Sequence, residues 1–190
     1  MIGRFYRTQT EAIEAVLKFW FEEAGPGRWF SKNSTFDEEI ARRFGPLYEE
    51  AAAGRLDVWR AHADSALALI IMLDQFSRNL LRGRTEAFAC DDKAVALAEG
   101  AIRRRFDMIT PKKRRPFFYM PFMHSEQLAV QERSVQLFKA RLPGSSNLPF
   151  AQEHRDIIAR FGRFPHRNSV LRRVMRPEEA AYLAAGGFSF

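Results

Sequence analysis

The sequence predicts an all-α protein: a single-domain antiparallel array of about seven or eight helices of ordinary length, spanning residues 1–190. Three observations predict it. Apolar residues recur at helical spacing in one segment after another. No stretch sustains the period-two alternation of a strand, and no Asn-Gly or Asp-Gly pair marks a hairpin turn. Helix-starting and helix-stopping residues bracket the periodic segments. With 46% hydrophobic residues, 28% charged residues and 18 phenylalanines, the chain has the makings of one sizeable, aromatic-rich core.

Taken in order, Thr8 and Glu11 have capping-box spacing. Ile13, Val16, Leu17, Trp20 and Phe21 follow on one helix face, and Gly25-Pro26-Gly27 stops that helix. Trp29 and Phe30 are expected to tuck against the core. Ser34 or Thr35 caps a second helix with apolar face Ile40, Phe44, Leu47, Tyr48 and Ala51, kinked or split at Pro46 and ended by Gly54. Asp64 caps a third helix to about residue 81. Its 66–73 segment is apolar on every side, which places it at the centre of the fold. Its second half turns polar around Phe76 and ends at Gly83. Asp91 or Asp92 opens a fourth helix, closed by three arginines at 103–105. Thr110-Pro111 is expected to start another segment. A long helix runs from about Ser125 to Leu142 with stripe Leu128, Val135, Phe138 and Leu142. The next carries Phe150, His154, Ile157, Ile158 and Phe161, stopped by Gly162. Pro177, Glu178 and Glu179 open the last short helix, ended by Gly186-Gly187.

Several segments together resemble an uncharacterised family, domain of unknown function 924. They are Phe19-Trp20-Phe21 with Trp29-Phe30, the run from Leu73 to Asn79 (LDQFSRN), the run from Pro121 to Glu126 (PFMHSE), and above all the run from Arg160 to Asn168 (RFGRFPHRN). The resemblance covers nearly the whole chain. It implies a tetratricopeptide-like superhelix and no established reaction, substrate or catalytic residue. One position departs from the family pattern: Arg172 stands where the family usually has Gly.

The residues that could carry chemistry fall into three groups. Asp74 and Arg78 are one helical turn apart, directly after the most apolar segment, so Asp74 is expected to be buried and paired. His124, Glu126 and Gln127 lie near a helix start, where Ser125 and Glu126 have a capping explanation and His124 has none. Arg160, Arg163, His166, Arg167 and Asn168 crowd donors into a stretch, 157–171, that also needs apolar contacts for its phenylalanines. Two uses compete. The arginines could clamp Asp74 and Glu126. Alternatively, Arg78, Asn79, Gln127, Arg163, Arg167 and Asn168 could line a binding site for an acidic peptide or small anion. An enzymatic alternative uses His124 or His166 as general acid/base, oriented by Asp74 or Glu126, in a hydrolase-like reaction.

Other classes find less support. None of the four histidines (His62, His124, His154, His166) has metal-ligand spacing; a His124, Glu126 and His166 set is conceivable, but no metal or cofactor is expected. His154 reads as a core histidine. No phosphate loop, dinucleotide fingerprint or nucleophile elbow occurs. The net charge of +7 permits an anionic partner without requiring one. Basic residues at 103–115, beside Phe117, Phe118 and Tyr119, could form a weak nucleic-acid or membrane-surface patch, but no nucleic-acid motif accompanies them. The longest apolar run is far below the roughly 18 residues of a membrane span. A lone cysteine and the lack of an apolar leader lead to the expectation of a cytoplasmic, soluble protein.

Overall fold

The computed structural model describes residues 6–188, and every regular element among them is helical. The chain groups into two compact units, Met1–Arg82 with Glu86–Pro121, and Gly83–Thr85 with Phe122–Phe190. More helical segments are present than expected, because short ones occupy stretches that composition marks only as irregular.

In the first unit, α1 (Gln9–Lys18) starts at Thr8, whose hydroxyl accepts from the Glu11 amide at 3.2 Å. The Glu11 carboxylate reaches back one residue further than a capping box requires, to the Arg7 amide at 2.8 Å. The helix widens into a π-turn over Phe19–Ala24 and stops at Gly25, whose φ of +66° suits only glycine comfortably. After α2 (Pro26–Trp29), the Trp29 indole donates to the Trp20 carbonyl at 2.7 Å and its ring meets Phe117 at 4.8 Å. Phe30, expected to tuck in beside it, is 57% exposed.

Asn33 caps α3 (Ser34–Ala52), not Ser34 or Thr35, by accepting from the Phe36 amide at 3.0 Å. Pro46 does not split the helix. It and Arg42, whose carbonyl would have received the missing N–H, both face solvent, so water can satisfy the freed acceptor. α4 (Ala63–Ile71) continues through a second π-turn, Met72–Phe76, into α5 (Ser77–Leu80). Asp64 lies in the first turn of α4 without capping it. Every residue from 65 to 77 is buried, as the all-round apolar pattern predicts. Phe76 packs among Phe19, Trp20 and Phe44 at 6.1, 5.5 and 5.1 Å between ring centroids. Burying each such ring contributes about 1.5–3 kcal/mol.

Cys90 occupies the cap position of α6 (Asp91–Arg103), and Asp91 points elsewhere. Arg105, with φ +60°, turns the chain into α7 (Phe106–Ile109). Thr110-Pro111 starts no helix: the Thr110 hydroxyl folds back onto the Phe106 carbonyl at 2.8 Å and ends α7. Phe117, Phe118 and Tyr119 are all buried, ahead of α8 (Met120–His124).

The second unit centres on α9 (Leu128–Arg141) and α10 (Asn147–Phe161), which pack against each other after a short connection. Ser125 does not cap α9. Its hydroxyl accepts from the Gln127 amide at 3.2 Å, and the helix begins at Leu128, later than expected. The buried stripe of α9 is Gln131, Ser134, Val135, Leu137 and Phe138, while Leu128 is exposed. Gln131 earns its interior position by donating to the Met123 and Ser125 carbonyls, both at 2.6 Å. On α10, Phe150 is exposed, and Ile157, Ile158 and Phe161 join Phe164, Tyr182 and Phe188 in a core cluster. α11 (Pro177–Ala184) starts at its proline, as predicted.

Arg172 adopts φ +53°. This left-handed conformation is costly for a side chain bearing a β-carbon, and the position is the one where the resemblance leads one to expect Gly. Arg172→Gly is therefore expected to raise stability by about 0.5–1 kcal/mol. Equal or lower urea midpoints for the variant would count against a strained Arg172.

Candidate functional site

Asp74, Arg78 and Asn79 belong to the first unit. The π-turn and α5 project all three into a polar layer beneath the aromatic core. Arg78 makes a bidentate pair with Asp91 at 3.0 and 3.2 Å, and Asp74 stands 3.9 Å away. Gln75 donates to Asp74 at 2.6 Å. Burial disfavours the Arg78 charge, but Asp91 and Asp74 more than offset this and hold it above its ordinary value. Burial, with Cys90 and Asp91 nearby, pushes the Tyr48 phenol up; its hydroxyl lies 3.9 Å from the Cys90 sulfur. Asn79 donates to Asp37 at 2.8 Å, and Arg82 grips the same carboxylate at 2.7 and 2.9 Å. Each of these two carboxylate groups has the form of a structural network.

The remaining candidates belong to the second unit. Glu126 receives Arg173 at 2.9 and 2.6 Å and the Phe164 amide at 2.9 Å. Burial raises its pKa, but Arg173, the Phe164 amide and the nearby Arg167 charge outweigh that and leave it lowered. Fully buried Glu179 gathers four donors: Arg163 at 2.6 and 2.8 Å, Asn168 at 3.0 Å and the Arg176 amide at 2.8 Å. The Arg163 bonds foremost, helped by the Arg176 amide, hold its carboxyl down at about 2 against the opposing effect of burial. Arg163 also donates to the Val174 carbonyl at 2.7 Å. These carboxylate clamps tie the loop after α10 to the approach into α11. Gln127 is exposed on the outside of the α9 start.

A cluster of rings and cations lies among these clamps. His124 and His154 are 6.4 Å apart between centroids. His154 meets Phe164 at 5.5 Å and Phe188 at 4.4 Å, and His166 meets the same two rings at 5.4 and 5.6 Å. Arg167 lies over the Phe164 ring at 4.6 Å and donates to the His124 carbonyl at 3.0 Å. His154 is buried, with its Nδ1 2.7 Å from the Phe150 carbonyl, which can only accept. Burial first, then the charges of His124, His166 and Arg167, depress its pKa to about 3, against the raising effect of the Phe150 bond. His124 and His166 are both half-buried.

The fold thus brings His124, His166 and Arg167 together and commits Arg163, Asn168 and Glu126 to clamps. Sequence reasoning missed Asp91, Arg173 and Glu179 as the main ion-pair partners. Asp91 and Glu179 read in the sequence as helix-start residues, and nothing at Arg173 distinguishes it from neighbouring arginines. It also left His154 out of the cluster, although the residue sits on the buried stripe as expected. Among the described residues no group of His, Cys, Asp and Glu has the arrangement of a metal site.

The geometry defines an all-helical protein with two internally clamped polar layers and a half-buried histidine–arginine cluster, a class recognisable by structure and not by reaction. The chain belongs to the family described as a bacterial protein of unknown function, domain of unknown function 924, whose model matches residues 16–187. A solved structure of a protein of unknown function from Agrobacterium tumefaciens is similar to it, with 42% identity and a TM-score of 0.89, over 94% of this chain and 100% of that one. No curated protein matches the chain.

Proposed function

We propose that the second unit is a binding module whose His124, His166 and Arg167 accept an anionic group, the carboxylate of an acidic peptide or a small anion. The observation that carries this reading is the gathering of His154, His166 and Arg167 around Phe164, with His124 beside His154, where burial first and then the neighbouring charges depress His154. A bound anion relieves that mutual repulsion and gains charge-assisted hydrogen bonds. Arg163 and Asn168 hold the loop in place through Glu179 and are not themselves the binding groups. The hydrolase alternative draws less support. Glu126, which would orient a catalytic histidine, spends its bonds on Arg173 and the Phe164 amide. The basic stretch 103–115 is a weak nucleic-acid candidate, because Phe117, Phe118 and Tyr119 are buried away from any base.

The test is a titration at pH 6 with inorganic phosphate and with a poly-glutamate peptide, followed by imidazole NMR and thermal shift. Either ligand is expected to raise the midpoint of unfolding and to move the imidazole resonances of His124 and His166, and Arg167→Gln is expected to abolish both effects. Unmoved imidazole resonances with both ligands would sink the reading.

The same reading takes residues 1–190 as one domain of tetratricopeptide-like helix pairs in the cytoplasm. Trp20, Trp29 and Trp59 all lie in the first unit, so tryptophan fluorescence reports that unit alone. A single domain requires its unfolding curve to coincide with that of far-UV circular dichroism.

A further inference from the structure

The short helix α7 presents an apolar tip: Ile109 is 74% exposed and Met108 39%. The exposure is built in. Asp107, fully buried beside these residues, accepts from the Tyr119 hydroxyl at 2.7 Å. Thr110 is bonded to the Phe106 carbonyl, and the buried Arg115 donates to the Met108 and Thr110 carbonyls at 3.4 and 3.3 Å. On the approach, Arg104 holds the Arg60 and Ala61 carbonyls at 2.9 and 2.8 Å, and the next residue, Arg105, is kept in a left-handed conformation. Backbone strain of this kind persists only where the surroundings fix it, and it concentrates at functional segments.

Cations border the tip. Arg103, Arg105, Lys112 and Lys113 are exposed, and among the described residues none of them makes an ion pair or side-chain hydrogen bond. The acidic residue of this stretch, Asp107, is buried and accepts from Tyr119, so it makes no direct contact with a docked surface. Arg114 pairs with the exposed Glu22 at 3.6 Å, and Arg115 is buried against the backbone.

We infer that α7 and its basic border form a docking surface for an anionic membrane, with Ile109 and Met108 entering the headgroup–acyl boundary and the four free cations resting on acidic lipid headgroups. An aliphatic and thioether tip ringed by Arg and Lys matches a lipid interface, where apolar insertion and surface charge act together. A single-stranded nucleic acid would call for exposed aromatic rings; Phe117, Phe118 and Tyr119 are buried, and half-buried Phe106 is covered by Arg104 at 4.5 Å.

The experiment is sedimentation of the intact protein with phosphatidylcholine vesicles, with and without about 30% phosphatidylserine. Binding is expected only with the acidic lipid and is expected to weaken with added salt. Lys112→Gln/Lys113→Gln is expected to lower the partition coefficient about 30-fold. Ile109→Ser is expected to lower it about tenfold. Both variants change exposed side chains, and unchanged circular dichroism verifies their folding. Equal partition into both vesicle types, no partition at all, or wild-type partition by the lysine variant would overturn the inference. So would binding of a single-stranded oligonucleotide in place of vesicles.

Discussion

Glu179→Gln is expected to destabilise the protein by about 2–4 kcal/mol at pH 7. The carboxylate accepts from Arg163, Asn168 and the Arg176 amide at one fully buried point. Glutamine keeps the volume but has one acceptor oxygen, and its amide turns two hydrogens towards groups that are themselves donors. The pH dependence has a definite sign. The folded pKa of about 2 lies below the ordinary 4.5, so the contribution is complete above pH 4.5 and is lost as pH falls towards 2. Urea unfolding of both proteins at pH 7 and at pH 3 checks this: the gap between them is expected to narrow at the lower pH. A variant as stable as wild type at pH 7 would mean that the clamp contributes nothing.

Acidification from pH 7 to pH 4 is expected to remove about 3 kcal/mol of stability through His154 alone. Its folded pKa is about 3 against an ordinary 6.5. Between those values the unfolded chain binds a proton that the folded chain does not, so stability rises with pH across this window and is fully present only above 6.5. Burial is the main cause, and the charges of His124, His166 and Arg167 add to it. His154→Gln removes the titration while retaining a donor for the Phe150 carbonyl, so its stability is expected to change much less between pH 7 and pH 4. Identical pH profiles for the two proteins would refute this assignment. The window also overlaps that of Glu179 below pH 4.5, and a double variant separates the two.

What could be read in the sequence follows from what each residue answers to. The 66–73 segment is apolar in every direction, and only a central position satisfies that, so its burial was legible. Gly162 and Pro177 were legible because backbone conformation restricts the choice of residue there. Phe30 and Phe150 were not: a large ring in a turn or on a helical stripe looks the same whether or not a neighbour covers it. Ser125 and Thr110 have short polar side chains with several backbone groups in reach, and propensity does not choose among them. The ion pairs were the least legible. Arg78 found Asp91 and Glu126 found Arg173, partners 13 and 47 residues away, and only the folded chain sets such distances. The histidine cluster was half legible. His124 stood out because it lacked a capping explanation and His166 because it lies in a donor-rich stretch, whereas His154 was hidden by its place on an apolar stripe.

The Cys90 thiol, buried against Tyr48 at the start of α6, gives the protein a reporter group of its own. It is the one cysteine in the sequence, so a thiol reagent modifies a single defined atom. Reaction requires local opening around Cys90, and under native conditions its rate measures how often that site opens. Breathing of the first unit can thus be timed without engineering a label, and compared directly with the proton-driven loosening expected at His154.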